Sequence, residues 1–314
     1  MLRSKYSGLL PLNGVMFVLL AIFWGASFVF IDVGLRYFPP LLFAAIRYDV
    51  AGLVILGYAA VATDRWRPRS RADVLAVATV GAFVIAGHHS LLYLGQQHVP
   101  GALAAVVVSL SPVLTAVFAS GLLADERVTP LGVVGFACGV VGVAIVADPN
   151  PADILATDVL GIALVFLGAA SFALGSVLAR PLRTDISIPG LQGWAMVFGS
   201  GLLHVVSVAR GESAAAIRWS LPAVASLSYL TLVSGVVAFL LYFHLLDRIG
   251  PTELNLVGYL EPVVATLLSW LLLGELVAET TVIGFAAIFV GFALLKRDAL
   301  FAFARSVSPT ARRV

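Results

Sequence analysis

From Pro100 to Val146 the chain reads PGALAAVVVSLSPVLTAVFASGLLADERVTPLGVVGFACGVVGVAIV, and from Gly250 to Leu295 it says nearly the same thing again. Pro112 answers Pro262, Glu126 answers Glu275, and Gly135 and Gly142 answer Gly284 and Gly291, with a one-residue slip between proline and glutamate. An echo at a fixed offset is the mark of an internal repeat. Its consequence for the fold depends on how many membrane crossings separate the copies.

Crossings are expected because 61% of the 314 residues are hydrophobic and only 11% are charged. An average soluble protein carries roughly 25% charge. So few charges cannot cover so much apolar side chain, and lipid must act as part of the solvent. A spanning helix needs about 20 mainly apolar residues. Ten stretches qualify, near 12–32, 40–62, 74–94, 101–123, 131–147, 159–179, 189–209, 221–243, 252–273 and 280–296. The first lacks a small-residue cleavage site after it and reads as a retained span. Proline and glycine mark most joints, among them Pro39-Pro40, Pro100-Gly101, Pro189, Pro222 and Gly250-Pro251. The single cysteine, Cys138, lies in an apolar run, so no intrachain disulfide framework is expected.

The basic residues set the orientation. With the N-terminus in the cytoplasm and strict alternation, only Arg36, Arg210 and Arg218 fall on the far side and Arg47 falls within the second span; all other lysines and arginines are cytoplasmic. Both termini are then cytoplasmic. The echoing hairpins become spans four–five and nine–ten, so each half holds five. An odd number turns the second half upside down. The expected fold is an all-α integral membrane protein of ten transmembrane helices, built as two five-helix inverted-topology repeats. Residues 1–150 form the first repeat, 151–300 the second, and 301–314 a cytoplasmic tail. Inverted repeats are a common architecture of secondary transporters, with the substrate near the midplane between halves.

The residues that carry this pattern are Trp24-Gly25 with Ser27-Phe28, Arg47, Leu110-Ser111-Pro112 leading to Glu126-Arg127, then Leu260-Glu261-Pro262, Leu272-Leu273-Gly274-Glu275, Gly284 and Gly291. Together they resemble the EamA-type permeases of the drug/metabolite transporter superfamily, most closely the ten-span exporters of amino acids, including aromatic ones. The resemblance covers essentially the whole chain. It implies a central cavity between the halves, lined by spans one, three, four, six, eight and nine, in a protein of the cell inner membrane. It also implies the export direction.

Ionisable groups inside a bilayer cost several kcal/mol and call for a functional reading. Glu261, in span nine, reads as a partner for a substrate ammonium or coupling proton, or as a structural group bonded to a neighbouring helix. His88 and His89 in span three point about 100° apart, which disfavours chelation of one metal by both. One is expected to face the bundle, the other a neighbouring helix or the lipid. Asn255 and Tyr259 share a face of span nine that Glu261 does not. Ser109 occupies the place of Tyr259 in the first half, Ser27 answers Ser171, and Tyr93 answers Tyr242. With Trp24 and His88, these are the candidate cavity-lining residues. Helix-to-helix hydrogen bonding is the rival account for the serines, and an interfacial belt for the tyrosines. Arg47 is expected to snorkel toward the end of its span. Gly132, Gly135, Gly139 and Gly142 form a small-residue stripe for close helix packing. Pro112 and Pro262 mark expected kinks or discontinuities.

No metal-ligand spacing, nucleophile elbow or phosphate loop is present. Neither an enzyme nor a cofactor is expected. A net charge of +2 gives no reason to expect nucleic acid. The reading is a secondary transporter that exports small neutral or zwitterionic metabolites by alternating access. Its expected partners are a small-molecule substrate and the bilayer, and a monomer suffices. The alternatives are a nucleotide-sugar or phosphorylated-metabolite exchanger, or a small-drug efflux permease.

Overall fold

A computed structural model describes residues 9–123, 130–147, 157–254, 256–276 and 278–295. Among these residues all regular structure is helical. The helices are α1 (Leu9–Leu35), α2 (Pro40–Ala62), α3 (Arg71–Gly95), α4 (Gly101–Leu122), α5 (Pro130–Ala147), α6 (Thr157–Ala179), α7 (Ile188–Ala209), α8 (Leu221–Gly250), α9 (Val257–Leu273) and α10 (Glu279–Leu295). Seven of them, α1–α4 and α6–α8, are long and apolar enough to cross a membrane. The apolar cores of α5, α9 and α10, Val133–Val146, Val257–Leu273 and Glu279–Gly291, are shorter. The chain is a multi-pass membrane protein.

The joints follow from local chemistry. Pro40 opens α2, where a missing N–H costs nothing. Ser70 and Asp73 close a reciprocal capping box at the start of α3. Ser187 caps α7 and Ser220 caps α8, each followed by a proline in the first turn. Gly274 ends α9 in the left-handed region at φ 72°, where a side chain would be strained.

The most extensive helix contacts are preserved when each helix is exchanged for the one five further on. α1 packs on α9 as α6 packs on α4, and α3 packs on α6 as α8 packs on α1. The contacts α2–α7 and α5–α10 are their own counterparts. The α5–α10 contact is close because Gly142 and Gly284 face each other, and a methyl on either would meet the other's backbone. The glycine stripe of the echoing hairpins therefore joins them.

The exchange also relates two features that periodicity did not reveal. The middle of α3, Val80–Gly87, and the middle of α8, Tyr229–Val237, are wound as π-helix. Such widened turns leave backbone groups less tightly paired and gather at functional sites. The two prolines behave differently. α4 breaks at Ser109–Leu110, and Pro112 stands in the first turn of its second segment, Ser111–Leu122. Pro262 lies inside a helix continuous from Val257 to Leu273, with no break in it.

Candidate functional site

A cavity of about 390 Å³ lies where α1, α2, α3, α4, α6, α8 and α9 meet. Its wall extends to Gln192 in the first turns of α7 and Ser176 in the last turn of α6, at the end of the bundle where the Ser187 amide bonds the Arg65 carbonyl. At the opposite end the helices are tied together. Asp32 of α1 accepts from Gly101 N at 2.6 Å and Gln96 Nε2 at 3.0 Å, which caps α4 from a distance. Glu212 accepts from the Leu41 and Leu42 amides, and Phe38 stacks on Phe43 at 4.6 Å with Trp219 edge-on to it. The cavity lining thus reaches toward the end bearing the 63–70 loop, and beyond Ile31 and Leu92 these contacts join the helices.

One wall is aromatic. Trp24 lies 5.4 Å from Phe239 and 5.5 Å from Tyr242, ring centre to ring centre. Its indole N–H donates to the Ser234 carbonyl at 3.3 Å, and the Ser27 and Ser234 hydroxyls bond at 2.7 Å. α1 reaches α9 closely because residue 25 is glycine; a methyl there would lie 2.7 Å from Val264 Cβ and 2.8 Å from the Glu261 carbonyl oxygen. That approach sets Glu261 on the cavity wall.

The other wall is polar. Arg47 is 4% exposed and lines the cavity. Its Nη1 donates to Tyr93 Oη at 2.7 Å and its Nη2 to Tyr48 Oη at 3.0 Å. Tyr48 Oη lies 2.5 Å from His89 Nε2, while His89 Nδ1 faces the Ile85 carbonyl at 3.0 Å. A carbonyl can only accept, so Nδ1 carries the proton and Tyr48 donates to Nε2. The relay then runs in one direction, from Arg47 through Tyr48 and His89 to the backbone of the π-wound segment. His88 Nδ1 likewise donates to the Gly168 carbonyl at 3.0 Å, which pins α3 to α6.

Of the residues singled out from the sequence, Trp24, Ser27, His88, His89, Ser109, Tyr242 and Glu261 stand on the cavity wall. Both histidines do so, where one was expected to turn away; their rings lie 83° apart, so each takes its own stretch of wall. Three others stand off it. Tyr93 is fully buried behind Arg47, which it orients. Ser171 donates to the Phe83 carbonyl of the π-wound turn at 2.8 Å, tying α6 to α3. Tyr259 faces α10, edge-on to Phe289, because a helix that presents Glu261 to the cavity turns residue 259 well away from it. Asn255 lies outside the described residues. Arg47 is the main departure from expectation: α2 starts at Pro40, so its Cα is roughly 10 Å inside the helix, and its head group turns inward to two tyrosines. Tyr48, Ser176, Gln192 and Ser234 also line the cavity and were not anticipated. The paired aromatics beside a buried cation were the available signal for Tyr48.

Comparison with known proteins agrees with this architecture. The profile of the EamA-like transporter family matches residues 12–147 and 159–297. The chain is 29% identical over 277 residues to the uncharacterized inner membrane transporter YedA of Escherichia coli K12, covering 88% of this chain and 87% of that protein. It is 29% identical over 286 residues to a probable terminal-alkyne amino-acid exporter of Streptantibioticus cattleyicolor, covering 90% and 93%. An uncharacterized transporter of Archaeoglobus fulgidus is 26% identical over 288 residues, with 90% and 98% covered. One solved crystal structure superposes with a TM-score of 0.63 at 19% identity, covering 94% of this chain and 99% of that one, which shows a shared fold. Two family matches in tandem, a bundle of apolar helices and a cavity between them agree: the chain belongs to the EamA-like transporter family, and it is a transporter, not an enzyme.

Proposed function

We propose that this protein exports small zwitterionic or neutral metabolites, amino acids with apolar or aromatic side chains among them, from the cytoplasm by alternating access. The observation that carries the reading is the cavity wall, which combines an aromatic face with one cation and one carboxyl. An amino acid has an apolar part and both charges. The relative named as a probable terminal-alkyne amino-acid exporter adds support.

In this reading the chain crosses the inner membrane ten times, as two inverted repeats at 1–150 and 151–300, with both termini cytoplasmic and a monomer as the working unit. The five-on symmetry of the helix contacts supports it. The cavity then faces the cytoplasm, the loading state of an exporter, and exchange of the two halves' roles opens the other end. Cysteines placed at Glu126 and Glu275 in a Cys138→Ser background should label from opposite sides of the membrane. Labelling from one side removes the inversion and the mechanism built on it.

Arg47 on the cavity wall favours a second reading, an exchanger of phosphorylated metabolites, since such carriers hold anions on basic groups. Glu261 in the same cavity opposes a multiply charged anion. Proteoliposome counterflow with labelled phenylalanine, tryptophan, threonine and methionine decides between them. Exchange of at least one is expected. Exchange of none by folded protein, with thermal stabilisation by a nucleotide sugar or sugar phosphate, establishes the second reading instead.

A further inference from the structure

A buried guanidinium is costly unless a counter-ion or a full set of acceptors satisfies it. Among the described residues Arg47 pairs with no carboxylate. Its two acceptors there are neutral hydroxyls, and its Nε–H, also buried, has none. The tyrosines hold the group in place without discharging it: Tyr48 bonds Nη2 and also lies under the guanidinium, 4.5 Å from ring centre to Cζ. Tyr93, fully buried, fixes Nη1. Each Nη carries a second N–H beyond the one it gives to a tyrosine, and a planar donor fork held in place on a cavity wall is the form that binds a carboxylate through two parallel hydrogen bonds.

Glu261 is the complementary case. It lines the same cavity from α9, and no described residue gives it a hydrogen bond or ion pair. No ion pair joins it to Arg47. The cavity therefore holds a guanidinium and a carboxyl that are not paired with each other, and neither has a counter-ion among the described residues. A carboxylate alone leaves Glu261 unmatched, an amine alone leaves Arg47 unmatched, and a phosphate dianion adds repulsion from Glu261. A zwitterion satisfies both groups at once.

We infer that Arg47 is the carboxylate anchor and Glu261 the ammonium anchor of an α-amino-acid site, with the side chain directed to the aromatic wall of Trp24, Phe239 and Tyr242. The inference rests on the exporter reading and names the chemistry of its site. Tyr48 and Tyr93 are positioning residues that act through Arg47.

The test uses the full chain in proteoliposomes. For whichever of the four amino acids is exchanged, the decarboxylated amine and the deaminated acid serve as competitors (phenethylamine and 3-phenylpropanoate for phenylalanine). Each is expected to compete roughly 10- to 100-fold more weakly than the amino acid, the range for one charge-assisted contact. Arg47→Gln should raise the half-saturation concentration for the amino acid by a similar factor while leaving that for the amine unchanged. Glu261→Gln should do the converse, sparing the acid. Equal competition by all three compounds overturns the inference, as does a variant that weakens all three alike. Should Arg47→Gln fail to fold, the wild-type comparison and Glu261→Gln still decide. If folded wild-type protein exchanges no amino acid, the exporter reading itself fails. If it exchanges one without regard to its carboxylate or ammonium, only the anchors fail.

Discussion

Replacing Gly25 with alanine tests how the site is assembled, because it adds one methyl where α1 crosses α9. That methyl would sit 2.7 Å from Val264 Cβ, 2.8 Å from the Glu261 carbonyl oxygen and 2.9 Å from Val264 Cγ1. Two of these atoms are fixed to the α9 backbone, so a rotamer change relieves little. Carbon atoms rest about 3.5–4.0 Å apart, and the helices must therefore part by roughly 1 Å. Overpacking of this kind costs about 1–3 kcal/mol. The displaced segment is the one that carries the Glu261 carboxyl, so exchange should fall further than the loss of folded protein explains. Thermal unfolding in detergent and proteoliposome counterflow measure the two effects. Gly57→Ala and Gly14→Ala are the controls, since a methyl at either position meets nothing within 4 Å. A Gly25→Ala protein that melts and exchanges like these controls would refute the argument that this crossing sets the cavity.

The polar wall and the π-wound turns each give one more perturbation. Tyr48→Phe removes a hydroxyl that accepts from Arg47 and donates to His89. It should cost about 1–3 kcal/mol of stability, read as a lower unfolding temperature, whereas Tyr58→Phe, on the outer face, should cost close to nothing. Deleting Leu232, which is 51% exposed within the π-wound part of α8, should let that segment rewind as α-helix. Eight residues at about 100° each turn roughly as far as nine in the wider π turns, so Phe239 and Tyr242 beyond the segment should keep their place on the cavity wall. Membrane insertion and proteoliposome exchange should both persist; loss of exchange in folded protein would mean that the wide turn itself is needed.

The sequence made the architecture legible because bilayers impose simple rules. Apolar length sets candidate spans, proline and N-cap residues set joints, and an echo between Pro112 and Pro262 reveals duplication. Those rules act along the chain, and the site is made across it. Whether Arg47 turns outward or inward depends on what stands beside it, and Tyr93, forty-six positions later, supplies one of its two acceptors. Helical spacing put Tyr93 and Tyr259 near the right depth but could not say which faced the cavity, because facing depends on how each helix is rotated. The π-wound turns of α3 and α8 change that rotation partway along, and neither Val80–Gly87 nor Tyr229–Val237 has a residue pattern that announces it. They also explain why an offset of about 150 residues paired Ser27 with Ser171 yet gave them different tasks. Ser27 bonds across the cavity wall to Ser234, while Ser171 donates to a backbone carbonyl, that of Phe83, within the π-wound turn of α3. Duplication thus conserves the main helix contacts and lets the chemistry of the two halves diverge, which is how one cavity comes to hold a cation from α2 and a carboxyl from α9.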